Sequence, residues 1–529
     1  MTETDTKAPI SDAERLAQLG YKQELNRSIN WFSNFGATFS IVSVPTATFP
    51  LIAYGILNGG PAAMLYTWPI VAVFSMCIGL SMSEIVSAFP TSGGLYYWSA
   101  QLSGPKHAPV VSFYTGWFNF LGQLGLTAAA SFAMAQLFTA CLYINGNIAS
   151  TVLTTDMTYK GITVAANAVI LITAGLINTV GVKALGFLCS ASVIFNIVGL
   201  AAVVIAVVVQ TPTRVPIQVL FETWNNQTFF SDPYAGVISI LLGCFTFAGY
   251  DSAAHLAEET TNPSRAGPIA IMTTILVTFP IGWLSIMGIL TAAPANINDL
   301  TNLALAPLST SSVADIFVNA TGVTGGLILT IITMLSIFFC TVSLVATHSR
   351  MIYAFSRDGA IPGSSFLHVL SEKSKIPARA VWTAVILDML VTLPALATLT
   401  AFTALTSIGT VGLYVSYAIP IFMRVIRSSH FVPGPVNLGR WGTTVGLIAV
   451  TWVAFVAVVL NLPTVNPNPW VPALFNWAPL MAGGVLFIAT VYWLVSARKW
   501  FKGPQLDSVT AGAWKEEGLD EKISHLEKN

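Results

Sequence analysis

Charge is what this sequence has least of: only 9% of its 529 residues are Asp, Glu, Lys or Arg, against about a quarter in soluble domains. The 23 basic and 23 acidic residues balance, so there is no basic excess for a polyanion and no nucleic-acid partner is expected. Cysteine is equally sparse. Cys77, Cys141, Cys189, Cys244 and Cys340 all fall in apolar stretches without metal-ligand spacing, which argues against a disulfide framework or a zinc site and for small packing residues. Enzyme signatures are missing too: there is no GxxxxGK[ST] loop, no HExxH and no GxSxG, so no catalytic residue is nominated. The first thirty residues lack an apolar signal core, and the first span itself is expected to direct insertion.

What is abundant is apolar length. Hydrophobic residues make up 54% of the chain, and runs long enough to cross a bilayer, about 20 residues each, recur from end to end. The pattern predicts an all-α membrane protein with twelve spans near 31–56, 65–87, 109–144, 161–179, 184–209, 234–257, 269–292, 323–349, 380–400, 403–423, 443–462 and 475–497. The flanks are a cytosolic segment 1–30 and a cytosolic tail 498–529. Positive charge tests that orientation, because Lys and Arg collect in loops that are not translocated. With the amino terminus inside, 21 of the 23 basic residues fall inside and only Lys160 and Arg214 outside. Two glycosylation patterns, Asn226-Gln227-Thr228 and Asn319-Ala320-Thr321, fall in predicted outer loops; chance is an equally good account of them.

Ionisable groups inside spans each cost on the order of 3 kcal/mol at mid-bilayer and tend to face a cavity. Glu84 lies near the inner end of span two, where a hydrogen bond to the following turn suffices to explain it. Asp388 in span nine reads as a helix–helix hydrogen bond or an interfacial position. His255, Glu258 and Glu259 share one helical face, but a bundle metal site needs a matching set from another helix, so a hydrogen-bonded helix end is the reading and no metal is expected. Asp251 differs because of its context, Cys244-Phe245-Thr246-Phe247-Ala248-Gly249-Tyr250-Asp251. Glycine costs about 1 kcal/mol in a helix interior and Asp is a favoured N-cap, so a helix that breaks and restarts near residue 252 competes with close helix packing at small residues. Span one holds a second interruption, Ser40-Ile41-Val42-Ser43-Val44-Pro45-Thr46, where proline removes a helical hydrogen bond. Interrupted segments at corresponding places in two halves, 31–209 and 234–423, point to an inverted-repeat transporter with its cargo held at mid-membrane by freed backbone groups. That environment suits a zwitterion.

The same residues sit in longer strings that resemble the amino acid/polyamine/organocation transporter superfamily. Glu84, then Pro90-Thr91-Ser92-Gly93-Gly94-Leu95-Tyr96-Tyr97-Trp98, then Gly116-Trp117 is similar to its signature after span two. Phe245 to Asp251, continuing through Glu258-Glu259-Thr260-Thr261-Asn262-Pro263-Ser264-Arg265 to Pro268, resembles its sixth helix and the following loop. Ser349 to Ala360 resembles the segment after span eight. The opening Gly20-Tyr21-Lys22-Gln23-Glu24-Leu25 and the late Phe431-Val432-Pro433-Gly434-Pro435 look like the amino acid/choline branch, which includes plant bidirectional amino acid transporters of the GABA-permease type and fungal GABA and choline permeases. The resemblance implies a leucine-transporter-like fold of five plus five helices with broken helices one and six, two peripheral helices at 443–497, and a site between helices one, three, six, eight and ten. It further implies that Ser40, Ile41, Val42, Ser43 and Val44 meet a carboxylate through backbone amides and that Phe245 acts as a lid. Thr246, Phe247 and Ala248, before Gly249, offer carbonyls to an amine, Gln123 lines the site and Asp251 belongs to a gating network. Many relatives have a glycine-rich stretch where this chain has Ser-Ile-Val-Ser-Val. Some place a lysine in helix five, where this chain has Asn196, so Asp251, His255 or Glu84 remain as proton groups, with uncoupled exchange as the alternative.

These features predict a secondary transporter of amino acids or related amino compounds in the lipid bilayer, without a cofactor other than a proton. The alternatives are a choline, quaternary-amine or polyamine carrier, and a nutrient receptor that does not transport. The plasma membrane is the expected location, an internal membrane the alternative.

Overall fold

The computed structural model describes residues 11–148, 156–305, 311–372, 374–396, 401–466 and 475–504. Lys7, Lys373, Lys515, Lys522 and Lys528, five of the 21 basic residues expected inside, lie outside the described residues, as do the ends of the two predicted cytosolic flanks. Among the described residues the chain is helical, with extended pairing confined to two isolated bridges, Ile29 with Thr260 and Asn58 with Asn226.

In chain order the helices are α1 (Asp12–Gln18), α2 (Trp31–Ile41), α3 (Val44–Ala47), α4 (Ile52–Leu57), α5 (Gly60–Ala88), α6 (Leu95–Ser103), α7 (Ala108–Ile144), α8 (Met157–Val180) and α9 (Val182–Gln210). There follow α10 (Ile217–Glu222), α11 (Asp232–Ile238), α12 (Leu241–Thr246), α13 (Ser252–His255), α14 (Pro263–Leu290), α15 (Ile297–Leu305) and α16 (Ser312–Arg357). The last five are α17 (Ser364–Leu367), α18 (Ala378–Thr392), α19 (Ala401–Ile426), α20 (Gly442–Val459) and α21 (Ala478–Val495). Ten of these, α5, α7, α8, α9, α14, α16, α18, α19, α20 and α21, are long and apolar enough to cross a membrane, and each coincides with one expected span. The other two expected spans, 31–56 and 234–257, are built from short helices instead. Large apolar side chains such as Phe187, Ile194, Val198, Leu284 and Phe487 face outward uncovered, a surface that lipid rather than water accommodates. The chain is an integral, multi-pass membrane protein.

Small residues set the closest approach in the bundle. A Cβ on Gly125 would lie 2.6 Å from the Gly409 nitrogen, and one on Gly122 2.5 Å from the Leu413 nitrogen. The backbones of α7 and α19 therefore touch, as small-residue stripes permit in membranes, and their polar side chains are brought together. Helix α16 is one long rod except at Gly322, where φ 75° and ψ 176° interrupt it; the span expected from 323 begins there. Asn319 lies in the helical stretch before this kink, ahead of the expected span as the sequence suggested but in a short helix rather than a loop, because the connection between the spans is itself helical there.

One end of the bundle is closed by a layer of paired charges. Arg350 and Glu259, both fully buried, meet at 3.1 Å; Arg357 holds Glu258 at 3.0 Å; Arg424 holds Glu84 at 2.9 Å. Residues 11–29 lie across this layer as a strap. Leu16, Leu19, Leu25 and Ile29 are buried, and Arg15 donates to the Ala88 carbonyl at 2.8 Å. The amides of Ser28 and Ile29 donate to the Glu259 carbonyl, and the Tyr21 hydroxyl donates to Asp358 at 2.9 Å, beside that of Tyr96 at 2.8 Å. Burial pushes both the Tyr21 hydroxyl and the Asp358 carboxyl above their ordinary values, so Tyr21 keeps its proton and remains a donor.

Candidate functional site

The first interruption follows from Pro45. A helix continuing through it would need an amide at residue 45 to bond the Ile41 carbonyl, and proline has none. Val42 leaves helical geometry, Ser43 is extended at φ −103° and ψ 146°, and the helix restarts at Val44. The freed carbonyls find side chains: Thr278 of α14 donates to Val42 at 2.9 Å and Thr46 to Ile41 at 3.4 Å. Asn196 of α9 spans the break, bonding Ser40 at 3.4 Å and Ser43 at 3.3 Å.

The second interruption follows from Gly249, whose φ of +92° a side chain would resist. Helix α12 ends at Thr246 and α13 starts at Ser252. The two interruptions are in contact. A Cβ on Gly249 would meet Ile41 Cγ2 at 2.5 Å and Leu126 of α7 at 2.9 Å, and Thr48 bonds Thr246 at 3.0 Å. Ser252 bonds Thr38 at 3.0 Å, so α2 also braces the restart. Phe247 packs on Trp68 of α5 with ring centres 5.0 Å apart, and its carbonyl lies 3.4 Å from the Tyr414 hydroxyl. Phe245, the expected lid, is buried, as are Ser40, Ile41, Val42, Ser43, Val44, Thr246, Phe247 and Ala248.

Asp251 is where the geometry departs most from the expected role. It precedes the restarted helix, but in αR geometry and without a side-chain capping bond. Its carboxylate points sideways. Oδ2 accepts from Asn119 Nδ2 and Gln123 Nε2 of α7, both at 2.9 Å; Oδ1 accepts from the Tyr417 hydroxyl of α19 at 2.8 Å. Tyr417 in turn accepts from the Gly249 amide at 3.0 Å, tying the positive-φ residue to the carboxylate. His255 Nε2 lies 3.3 Å from Oδ2, one turn along. All five side chains are fully buried. Gln123 thus serves the carboxylate. Glu84 is not part of this cluster: it pairs with Arg424 and accepts from the Leu438 amide at 3.2 Å. Asp388 is fully buried beside His348 at 3.2 Å.

Sequence reasoning missed Asn119, Tyr414, Tyr417, Trp68 and His348. Two signals could have found some of them: Asn119 and Gln123 at i, i+4 on an otherwise apolar span, and Tyr414 and Tyr417 at i, i+3.

Two consequences are measurable. In Asp251→Asn the new amide would face two donor amides, but Asn119 Oδ1 and Gln123 Oε1 have no partner among the described residues, so both amides can turn over and re-pair. Folding should survive, while the lost charge lowers uptake by roughly tenfold or more, the equivalent of about 1.4 kcal/mol. Wild-type uptake by this variant would remove Asp251 from the mechanism. Tyr417→Phe orphans the Gly249 amide and one carboxylate oxygen, a cost of about 1–3 kcal/mol, so both the melting temperature and the uptake rate should drop together.

Among the described residues the chain is all-helical, with two interrupted helices in contact inside a bundle of apolar helices. The chain belongs to the amino acid permease family, whose model matches residues 29–487. It is 40% identical to a protein named amino-acid permease BAT1 homolog from Oryza sativa subsp. japonica, over 95% of this chain and 99% of that one. It is 37% identical to amino-acid permease BAT1 of Arabidopsis thaliana, over 94% and 97%, and 29% identical to amino-acid permease 2 of Neurospora crassa, over 96% and 91%. The protein is an amino acid transporter, not an enzyme.

Proposed function

We propose that this transporter works by alternating access around the joined interruptions, and that its cargo is GABA or a similar small amino acid, moved in either direction. The observation that carries this reading is the contact of Gly249 with Ile41 and of Thr246 with Thr48, which supports treating the two interruptions as one site. The backbone of Ser40–Val44 would receive the carboxylate of the cargo. The carbonyls of Thr246, Phe247 and Ala248 would receive its amine, with Phe245 closing over it. In this reading 31–56 and 234–257 are crossing segments, which makes twelve spans. Spans one to five and six to ten then form two inverted halves, and the two peripheral spans follow. Both termini are cytosolic, in accordance with the distribution of Lys and Arg, and the membrane is the plasma membrane.

The aromatic rings around the second interruption, Trp68, Phe247, Tyr250, Tyr414 and Tyr417, favour one competing cargo, a quaternary amine held by cation–π contact. Purified protein in liposomes, offered labelled GABA, alanine, glutamate, lysine and choline, separates the two. GABA or alanine uptake that excess choline does not compete supports the proposal; choline uptake alone overturns it.

A further inference from the structure

Asn196 does more at the first interruption than fill a gap in the packing. It is buried, and its amide is used on both sides of the break: Nδ2 donates to Ser40 Oγ at 3.4 Å, and Oδ1 accepts from Ser43 Oγ at 3.3 Å. A further bond, from Nδ2 to the Ser192 carbonyl of its own helix at 2.9 Å, fixes which end of the amide is the donor, because a carbonyl can only accept. That direction matters. A serine hydroxyl has one hydrogen to give, and Ser40, as the acceptor from Asn196, keeps its own without an acceptor among the described residues. The amides of Ser43 and Val44 have no acceptor among them either. Three donors therefore stand unused on one buried stretch of chain, and an anionic group is the partner that would satisfy them best.

The surrounding elements bring no charge to this place. Helices α2 and α3 carry none. Lys183 of α9 and Arg265 of α14 lie thirteen residues before Asn196 and Thr278 respectively, about 20 Å away along their helices. Arg350 of α16 is held by Glu259, and Asp251 of the second interruption is engaged by Asn119, Gln123 and Tyr417. The charge at this end of the site is therefore decided by the side chain at residue 196, and asparagine sets it to zero.

We infer that Asn196 is a specificity-determining residue: its neutral amide, donating toward Ser40, prepares the first interruption for a carboxylate and so selects amino acids over amines that lack one. The inference rests on the reading above, in which the carboxylate of the cargo meets Ser40–Val44. An aspartate of the same size reverses the arrangement. It can only accept when ionised, so the hydroxyls of Ser40 and Ser43 both turn to it, and its charge repels a carboxylate and attracts a cation. A leucine, again of similar size, removes the bridge without adding charge. A much larger side chain has no space, since the cavity against Asn196, Ser43, Val44 and Thr278 measures only about 10 Å³. Both variants forfeit the bond to the Ser192 carbonyl, so the difference between them reports the charge.

The test uses the whole protein in liposomes, with the membrane potential clamped at zero and at about pH 8, where an introduced carboxyl is ionised. The probes are labelled choline and whichever of labelled GABA or alanine the wild type exchanges faster. Asn196→Asp should raise the KM for the amino acid by about tenfold or more, as juxtaposed like charges do, and should exchange choline faster than wild type. Asn196→Leu should raise the same KM more than it lowers the maximal rate, and keep the preference for the amino acid over choline. Monodispersity in detergent and exchange at saturating substrate report that each variant is folded. A choline-to-amino-acid ratio in Asn196→Asp equal to that of wild type overturns the inference and leaves the transport reading intact. A wild-type KM in Asn196→Leu overturns it as well, and decides alone should Asn196→Asp fail to purify. Equal losses on both cargoes in both variants also overturn it, by reducing Asn196 to a packing residue. Absence of any amino acid movement in wild type would instead defeat the reading on which the inference rests.

Discussion

Gly249→Leu is expected to abolish uptake while the protein still inserts and purifies. At φ +92° a side chain costs about 1–2 kcal/mol. The added Cβ would sit 2.5 Å from Ile41 Cγ2 and 2.9 Å from Leu126 Cδ2, and crowding of that kind costs about 1–3 kcal/mol more. Together these come to roughly 2–5 kcal/mol, a factor of about 30 to several thousand. The cost falls on the closed meeting of the two interruptions, because that contact is what the leucine would wedge apart, while α5, α7 and α14 remain packed. Gly249→Ala shares the backbone strain and the first clash but not the rest of the side chain, so it should be intermediate. Both are read by uptake and by exchange against protein amount. Normal transport by Gly249→Leu would mean that the helix is not broken there.

The second large effect concerns folding. Arg350→Met leaves Glu259 fully buried without its cation, and removing one partner of a buried ion pair costs about 3–5 kcal/mol. Arg350 also donates to Ser349 at 3.1 Å, so that contact is lost as well. A marginally stable protein loses much of its folded population at such a cost. The expected result is a sharp fall in monodisperse protein in detergent and in its melting temperature. The double variant Arg350→Met with Glu259→Met removes both charges, and replacing a buried pair by apolar residues of similar size is often neutral; it should recover most of the loss. A single variant as stable as wild type would mean that water reaches Glu259.

Much of the fold was legible because hydropathy and length act locally. Ten expected spans coincide with ten long apolar helices, and the two that do not are those in which Pro45 and Gly249 had already signalled a break. The contents of the site were less legible, because helix orientation decides them. Asp251 reads locally as an N-cap, yet α7 and α19 offer it three donors sideways, in an alignment set by the backbone contacts of Gly125 with Gly409 and of Gly122 with Leu413. Tyr417, and the partnership of Glu84 with Arg424, depend on residues far apart in sequence that no periodicity connects. Asn319 differs for a simpler reason: the connection ahead of the kink at Gly322 is helical, and hydropathy does not tell a short connecting helix from a loop.

The strap of residues 11–29 sets an order of events during synthesis. It leaves the ribosome before the bundle it covers, and its seats are made much later: the Glu259 carbonyl for Ile29, and for Tyr21 the Asp358 carboxyl, 337 residues further on. At typical elongation rates that gap is on the order of tens of seconds. Throughout it Leu16, Leu19 and Leu25 must wait uncovered or be held by something else. Docking of the strap therefore waits on residues made hundreds of positions after it, and a cargo fused ahead of residue 11 would have to wait with it.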